Sequence, residues 1–351
     1  MKLTRNEAAR ILQDHDRFLI LTHRRPDGDT LGSAAALCLG LRLLGKTAWV
    51  LRNPEVTPRF SFLLEGLTVE AVPEDAFIVS TDVASPSMLP AQWANLNGKI
   101  RLRIDHHASS TSFTWEELVE PESASCAEIV WELLRLLQCP ADTAVFNALY
   151  VGISTDTGCF RFSNTNEHTF LAAAACARAG VNTYRLNQEL FETNTLERLK
   201  IQAWIVEHML LLRNKTMAVC AIPGQVETDL GVTEDDMDNI SNFPRTVAGV
   251  KVAATLRETG EGETKLSVRA VPGYDATLVT QRFGGGGHKG AAGASINLPL
   301  HKAAEAVKKV MEGPWTPWLP GCSPCSSAGP PGGWSFLSTR KRPTRPCSCP
   351  G

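Results

Sequence analysis

Short apolar runs alternate with helical patterns through the first half of the chain. The runs predict buried strands at residues 17–22, 47–51, 77–81 and 101–104. The helical patterns cover residues 30–44, 124–137, 143–153, 167–179 and 183–189. Strands that alternate with helices predict an α/β fold, with a parallel sheet that is covered on both faces.

A second lobe is predicted after a helical pattern at residues 196–212. Its predicted strands are 216–221, 250–256 and 265–270, and its predicted helices are 277–283 and 300–311. We therefore expect a catalytic domain at 1–194, a linker helix at 195–212 and a smaller α/β substrate-binding domain at 213–312.

The remaining residues, 313–351, have a different composition. From Pro314 onward the chain holds nine of its 21 prolines and four of its ten cysteines, with no Asp or Glu. This composition predicts a disordered tail. The alternatives are a zinc site at Cys322, Cys325, Cys347 and Cys349, or a tail foreign to the rest of the protein.

Composition and charge limit the classes of function. The chain has 351 residues, is 43% hydrophobic and carries a net charge of -2, so it has no overall basic balance that favours non-specific nucleic-acid binding. Its charged N-terminus lacks the apolar core of a signal peptide, and no apolar run is long enough to span a bilayer. Six cysteines stand singly among apolar neighbours, which is typical of reduced thiols. We expect a cytoplasmic protein without a membrane segment.

Histidines and aspartates follow the predicted strands at the point where each strand ends. They are His23, Asp27 and Asp29 after the first strand, Asp82 after the third, and Asp105, His106 and His107 after the fourth. Asp156 follows the helical pattern at 143–153. Ligands of open parallel sheets bind outside the carboxyl ends of the strands, so we expect these side chains to meet.

Such a group of carboxylates repels itself unless cations neutralise it. Oxygen and imidazole ligands without thiolates favour Mn²⁺ or Mg²⁺. Two such ions about 3.5–4 Å apart can activate a water and hold phosphoryl oxygens. The alternative for Asp29 or Asp82 alone is a helix N-cap.

A glycine run at residues 284–293 provides a second candidate site. Gly285, Gly286 and Gly287 allow backbone N–H groups to approach a phosphate, and His288 adds a donor. Arg269, at the end of a predicted strand, is a plausible second phosphate contact. A flexible linker is the alternative, but the strand-like sequence ASINL that follows favours a glycine turn beside a ligand.

The chain resembles the DHH phosphoesterase family in five ordered motifs. These are HRRPDGDTLGS, the aspartate in STDVAS, IDHHAS, STDTGCFRFSNT and GGGGHKGAAG. The resemblance covers residues 1 to about 312. Length and the FRFSNT continuation are most similar to the NrnA type, and the glycine run is similar to the DHH-associated domain.

The resemblance implies a role for each residue. One divalent ion is expected at His23, Asp27 and Asp82, and the other at Asp29, Asp82, His106 and Asp156. The ions are expected to be Mn²⁺, with Mg²⁺ or Co²⁺ as alternatives. His107 is expected to face the scissile phosphate, and Asp105 to orient a histidine. Substrate contacts are expected from Arg269, Gly285, Gly286, Gly287, His288 and Arg161.

The same resemblance implies hydrolysis of short oligoribonucleotides and removal of the 3′-phosphate from 3′-phosphoadenosine 5′-phosphate. The expected partners are short single-stranded RNA and phosphorylated nucleotides, and a homodimer is compatible with the sequence. A phosphodiesterase for cyclic or linear dinucleotides is the first alternative. A long-strand exonuclease is less favoured at this charge, and a non-catalytic nucleotide sensor is a further alternative.

Overall fold

A computed structural model describes residues 1–108 and 111–313. The first lobe contains a parallel six-stranded sheet in the order β3-β2-β1-β4-β5-β6. Its strands are β1 (Phe18–Leu21), β2 (Ala48–Leu51), β3 (Thr68–Val69), β4 (Phe77–Thr81), β5 (Leu102–Asp105) and β6 (Glu116–Val119). Its helices are α1 (Arg5–Asp14), α2 (Gly28–Leu43), α3 (Cys126–Leu136), α4 (Thr143–Asp156), α5 (Glu167–Arg178) and α6 (Thr183–Asn187).

The sheet of the first lobe is buried on both faces. Phe18 and Ile20 point into the core that α2, α3 and α4 cover. Leu19 and Leu21 point to the opposite face, where the 3₁₀ segment Ala91–Lys99 packs against them. This alternation explains why β1 is apolar at every position, and the predicted α/β fold is confirmed.

The second lobe contains a mixed sheet in the order β11-β12-β10-β9-β8-β7. Its strands are β7 (Leu210–Leu212), β8 (Met217–Ile222), β9 (Val252–Gly260), β10 (Glu263–Ala270), β11 (Gly286–Gly287) and β12 (Ala291–Ile296). Its helices are α7 (Leu196–His208), α8 (Gly224–Leu230), α9 (Thr277–Thr280) and α10 (Leu300–Glu312). Among the described strands of this second sheet, only the β8–β9 pair is parallel.

Several elements differ from the sequence prediction. The predicted helix at 196–212 ends at His208, because Met209 is extended and Leu210–Leu212 pairs with β8. A turn with left-handed backbone at Arg213, Asn214 and Lys215 closes this hairpin. The helices α1 and α8 and the strands β3 and β6 were not predicted. The structure extends α4 to Asp156, three residues beyond the predicted end.

The described residues contain no helix that is both long and apolar enough to cross a membrane. The six singly placed cysteines, all of which lie in this part of the chain, are free thiols. The predictions for residues 314–351, which include the disordered tail and its zinc alternative, lie outside the described residues.

Candidate active site

The carboxyl ends of three neighbouring strands deliver polar side chains to one edge of the sheet. His23 is the second residue after β1, and Asp82 follows β4 directly. The strand β5 ends at Asp105, and His106 follows it. Because parallel strands point the same way, these ends lie side by side. The structure brings the residues together as the sequence predicts.

Two helices add the other carboxylates. Asp29 lies in the first turn of α2, and Asp156 is the last residue of α4. These helices approach closely, since a Cβ atom added to Gly32 would lie 2.5 Å from the Ala148 carbonyl oxygen. The close approach places the start of α2 beside the end of α4.

Two groups of potential metal ligands meet at Asp82. The first group consists of His23, Asp27 and Asp82, and the second consists of Asp29, His106 and Asp156. Within each group, the ligand atoms lie within 4.8 Å of one another. The Oδ2 atom of Asp82 lies 3.6 Å from Nε2 of His23, and its Oδ1 atom lies 3.5 Å from Nε2 of His106. Each oxygen of Asp82 therefore faces a different group, which is the arrangement that a bridging ligand needs.

A third group of this kind consists of Asp82, His106 and His107. The His107 Nδ1 atom lies 3.4 Å from Asp82 but donates a 2.8 Å hydrogen bond to Oδ1 of Asp105. Its Nδ1 atom is thus committed to Asp105, and Nε2 is the nitrogen that can meet a substrate or an ion.

Backbone carbonyls orient the other two imidazoles. The Nδ1 atom of His23 lies 2.8 Å from the Arg24 carbonyl, and Nδ1 of His106 lies 3.2 Å from the Ser123 carbonyl. A proton on each Nδ1 leaves the Nε2 lone pair for a metal. Sequence reasoning missed these carbonyls, because a backbone acceptor has no residue type by which to recognise it.

Hydrogen bonds from a helix N-terminus fix the Asp29 carboxylate. Cys126 and Ala127 donate backbone hydrogen bonds of 2.7 and 3.0 Å to its two oxygens, and Ser33 donates one of 3.2 Å. Asp29 is therefore not the N-cap of its own helix. That position belongs to Asp27, which accepts from the N–H groups of Asp29 and Thr30.

The site has the electrostatics of a cation site. Burial, together with the charges of Asp82 and its neighbours, raises the pKa values of Asp29 and Asp156 well above the ordinary range. The Oδ1 atom of Asp82 is buried without a hydrogen-bond partner among the described residues. Asp82 also has φ 61°, a strained conformation for a residue with a side chain. Divalent ions fit this donor set, because they would neutralise the carboxylates and occupy the orphaned oxygen.

His107 lies between this centre and the second lobe. Burial opposes its protonation, but the hydrogen bond to Asp105 and the nearby carboxylates raise the pKa of His107 to about 9. Its ring lies 6.3 Å from the ring of His288, centroid to centroid. His107 and His288 therefore face each other across the cleft between the lobes.

The glycine run forms a short hairpin at the edge of the second sheet. His288 and Ala291 exchange backbone hydrogen bonds of 2.8 and 3.1 Å between β11 and β12. Gly287 has φ 138°, and a Cβ atom on Gly285 would lie 2.2 Å from the Gly293 carbonyl, so both positions require glycine. The run is thus part of a sheet and differs from a flexible linker.

The two predicted arginine contacts lie in different places. Arg269 is the last residue but one of β10, where it pairs with Ala291 next to the glycine hairpin, and burial beside Arg245 lowers its pKa. Arg161 donates a hydrogen bond to the Gly158 carbonyl and lines a cavity of about 710 Å³. The structure places Arg161 at this cavity, which the residues of the glycine hairpin do not line.

Known proteins share this architecture. The N-terminal domain of the DHH family matches residues 17–153, and the DHHA1 domain matches residues 214–313. "Bifunctional oligoribonuclease and PAP phosphatase NrnA" of Thermus thermophilus is 33% identical over 83% of this chain and 88% of its own. The cyclic-di-AMP phosphodiesterase GdpP of Geobacillus thermodenitrificans is 24% identical over 82% of this chain, which spans 46% of GdpP.

A solved structure has the same fold over most of the chain. An exopolyphosphatase-related protein from Bacteroides fragilis superposes with a TM-score of 0.75 at 20% identity, over 88% of this chain and 95% of that one. The NrnA relative and the two domain matches identify the chain as a member of the DHH family of phosphoesterases, with a DHHA1 domain after its DHH domain.

Proposed function

We propose that the protein hydrolyses short oligoribonucleotides to mononucleotides and removes the 3′-phosphate of 3′-phosphoadenosine 5′-phosphate (PAP). The observation that carries this proposal is the position of Asp82, whose two oxygens face His23 and His106. Such an arrangement suits a pair of divalent ions. The similarity to the NrnA relative, which is named for both activities, supports the choice of substrates.

In this proposal His23, Asp27 and Asp82 would hold one divalent ion, and Asp29, Asp82, His106 and Asp156 would hold the other. Bound divalent ions supply an activated water and neutralise charge on the phosphoryl oxygens. We propose Mn²⁺ as the ion, with Mg²⁺ or Co²⁺ as alternatives. The catalytic residues proposed are Asp105, His106 and His107.

Other side chains of the protein would contact the scissile phosphate and the terminal phosphate. His107 would donate a hydrogen bond to the scissile phosphate, while Asp105 orients its ring. His288, Arg269 and the N–H groups of Gly285–287 hold the terminal phosphate from the second lobe. We further propose that residues 1–194 carry the reaction and residues 213–312 the substrate contacts, with 195–212 as the link.

A phosphodiesterase for cyclic dinucleotides is the second candidate function. The similarity to GdpP favours it, although this chain spans less than half of that protein. A cytoplasmic location and a homodimer remain predictions from the sequence.

The test is phosphate and nucleotide release with Mn²⁺ from four substrates. These are PAP, a five-nucleotide RNA, a thirty-nucleotide RNA and a cyclic dinucleotide. We expect metal-dependent turnover of the first two only. Turnover of the cyclic dinucleotide alone would replace the substrate assignment by the second candidate, and no turnover of any substrate would favour a nucleotide sensor.

A further inference from the structure

The cavity that contains Arg161 opens on the candidate metal ligands. Asp27 and Asp156 line it, and α7 contributes Arg198 and Gln202 to the same lining. Its volume of about 710 Å³ lies within the range of small-molecule sites. We call it the linker cavity, and the residues that carry its chemistry are Arg161, Phe162, Arg198, Asp235, Asn242 and Phe243.

Aromatic and amide side chains form the walls of the linker cavity. Phe162 from the first lobe is 38% exposed, and Phe243 and Asn242 come from the second lobe. A Cβ atom on Gly158 would lie 2.3 Å from the Phe162 ring, so only glycine lets the ring occupy its position. Exposed aromatic rings stack on nucleobases of any sequence, and amides bond to base edges.

One segment of the second lobe adds carboxylates to the lining of the linker cavity. Asp235, Asp236 and Asp238 all line it. Arg59 pairs with Asp238 at 2.9 Å, and Arg198 donates to the Asp236 carbonyl at 2.7 Å. Asp235 is not part of that ion pair, so its carboxylate would repel a further phosphate, whereas a neutral nucleoside can approach it.

The linker cavity and the glycine hairpin are formed by different residues beside the reaction centre. His288 stands opposite His107, and within the described part of the chain neither of these residues nor Arg269 lines the cavity. A substrate whose terminal phosphate lies at the hairpin therefore has its next nucleoside available for the cavity. PAP, which has one nucleoside, has no second nucleoside to place there.

We propose that the linker cavity binds the nucleoside on the side of the scissile phosphate away from His288, and that the Asp235 carboxylate in its lining limits the substrate to a few nucleotides. This inference rests on the proposed function. It assigns the stacking role to Phe162 and the exclusion of longer chains to Asp235, which is not part of the ion pair between Arg59 and Asp238.

The first experiment compares kcat/KM for a diribonucleotide with kcat/KM for PAP. Phe162→Ala removes one base stack, so it should lower kcat/KM for the diribonucleotide, relative to kcat/KM for PAP, about tenfold. Phe162→Tyr should restore the ratio, because it keeps the ring. Tyr184→Ala, which removes an exposed ring elsewhere, is the matched control and should leave the ratio unchanged. Equal losses on both substrates in Phe162→Ala would overturn the subsite.

The second experiment measures the dependence on RNA length. Asp235→Asn should raise kcat/KM for a ten-nucleotide RNA relative to the diribonucleotide, by about threefold or more at low salt. Asp229→Asn removes an equal charge from α8, whose residues do not line the cavity, and is expected to change nothing. An unchanged length preference in Asp235→Asn would overturn the role of the Asp235 carboxylate.

The activity of the wild-type protein distinguishes failure of the proposed function from failure of the linker-cavity proposal. If it turns over neither RNA nor PAP, the proposed function fails, and this inference fails with it. If it turns over both, while Phe162→Ala and Asp235→Asn leave the two ratios unchanged, the proposed function stands and the linker-cavity assignment alone is wrong.

Discussion

The guanidinium of Arg103 lies 4.0 Å from the carboxylate of Asp105, and both side chains are fully buried at the carboxyl end of β5. Arg103 also lies 3.6 Å from Glu117 and donates a 2.8 Å hydrogen bond to the Thr111 carbonyl. Asp105 in turn accepts from Nδ1 of His107. A buried cation thus stands behind the residue that orients His107.

We expect Arg103→Met to lower the free energy of unfolding by about 3–5 kcal/mol, because it leaves Asp105 and Glu117 buried without their cation. Denaturant unfolding measures this loss. Arg101→Met is the control on the same segment, since Arg101 is exposed and lies over the rings of Phe77 and Trp115. It should cost about 1 kcal/mol or less. Equal losses in both variants would contradict the assignment.

Asp82→Asn tests the shared carboxylate of the two ligand groups. We expect kcat to fall more than about 100-fold, since even residues that only orient metal ligands cost 10–100-fold on mutation. Bound metal, measured by mass spectrometry of the dialysed protein, should drop below two ions per chain. The metal-free variant should unfold at the same temperature as wild type or higher, because one of several repelling carboxylates is gone. Full activity with two bound ions would exclude a bridging role.

Gly285→Ala and Gly286→Ala form a matched pair in the glycine hairpin. A Cβ atom on Gly285 meets the Gly293 carbonyl at 2.2 Å, whereas one on Gly286 meets nothing within 4 Å. We expect Gly285→Ala to destabilise the protein by about 1–3 kcal/mol, and Gly286→Ala to change stability by about 0.5 kcal/mol or less. Thermal unfolding distinguishes them. A KM increase in Gly286→Ala at unchanged stability would support phosphate binding at this turn.

The raised pKa values of Asp29 and Asp156 predict a pH dependence of stability. In the folded, metal-free protein these carboxyls keep their protons at pH values where the unfolded chain has released them. The native state then binds more protons, so stability falls as pH rises above the ordinary aspartate pKa of about 3.9. Divalent metal should reverse the trend, because it binds the ionised form and releases protons. Thermal unfolding from pH 4 to 8, with and without Mn²⁺, measures both trends, and Asp29→Asn should flatten the metal-free curve.

The strand-end residues could be predicted from the sequence for a simple physical reason. Apolar runs mark β1, β4 and β5, and parallel strands bring their carboxyl ends to one edge, so His23, Asp82 and Asp105 had to meet. Asp156 could be added because it follows the helical pattern at 143–153, although the pattern ended this helix three residues too early.

The supporting contacts could not be predicted in this way. The carbonyls of Arg24 and Ser123 orient imidazoles through the backbone, which leaves no trace in the residue types. The hydrogen bonds from α3 to Asp29 join residues almost a hundred positions apart. The linker cavity is likewise formed by segments from both lobes, and no local pattern encodes their distance.

The contact between α2 and α4 has a consequence for the ions themselves. At Gly28 an added Cβ atom would lie 2.4 Å from the Thr155 hydroxyl, and at Gly152 it would lie 3.0 Å from the Asp29 carboxylate. These missing methyl groups set how near Asp29 and Asp156 can come. Mg²⁺ takes ligands at about 2.0–2.1 Å and Ca²⁺ at about 2.3–2.6 Å. Under the proposed function, the contact between α2 and α4 would therefore limit the radius of the ion that Asp29 and Asp156 can bind together.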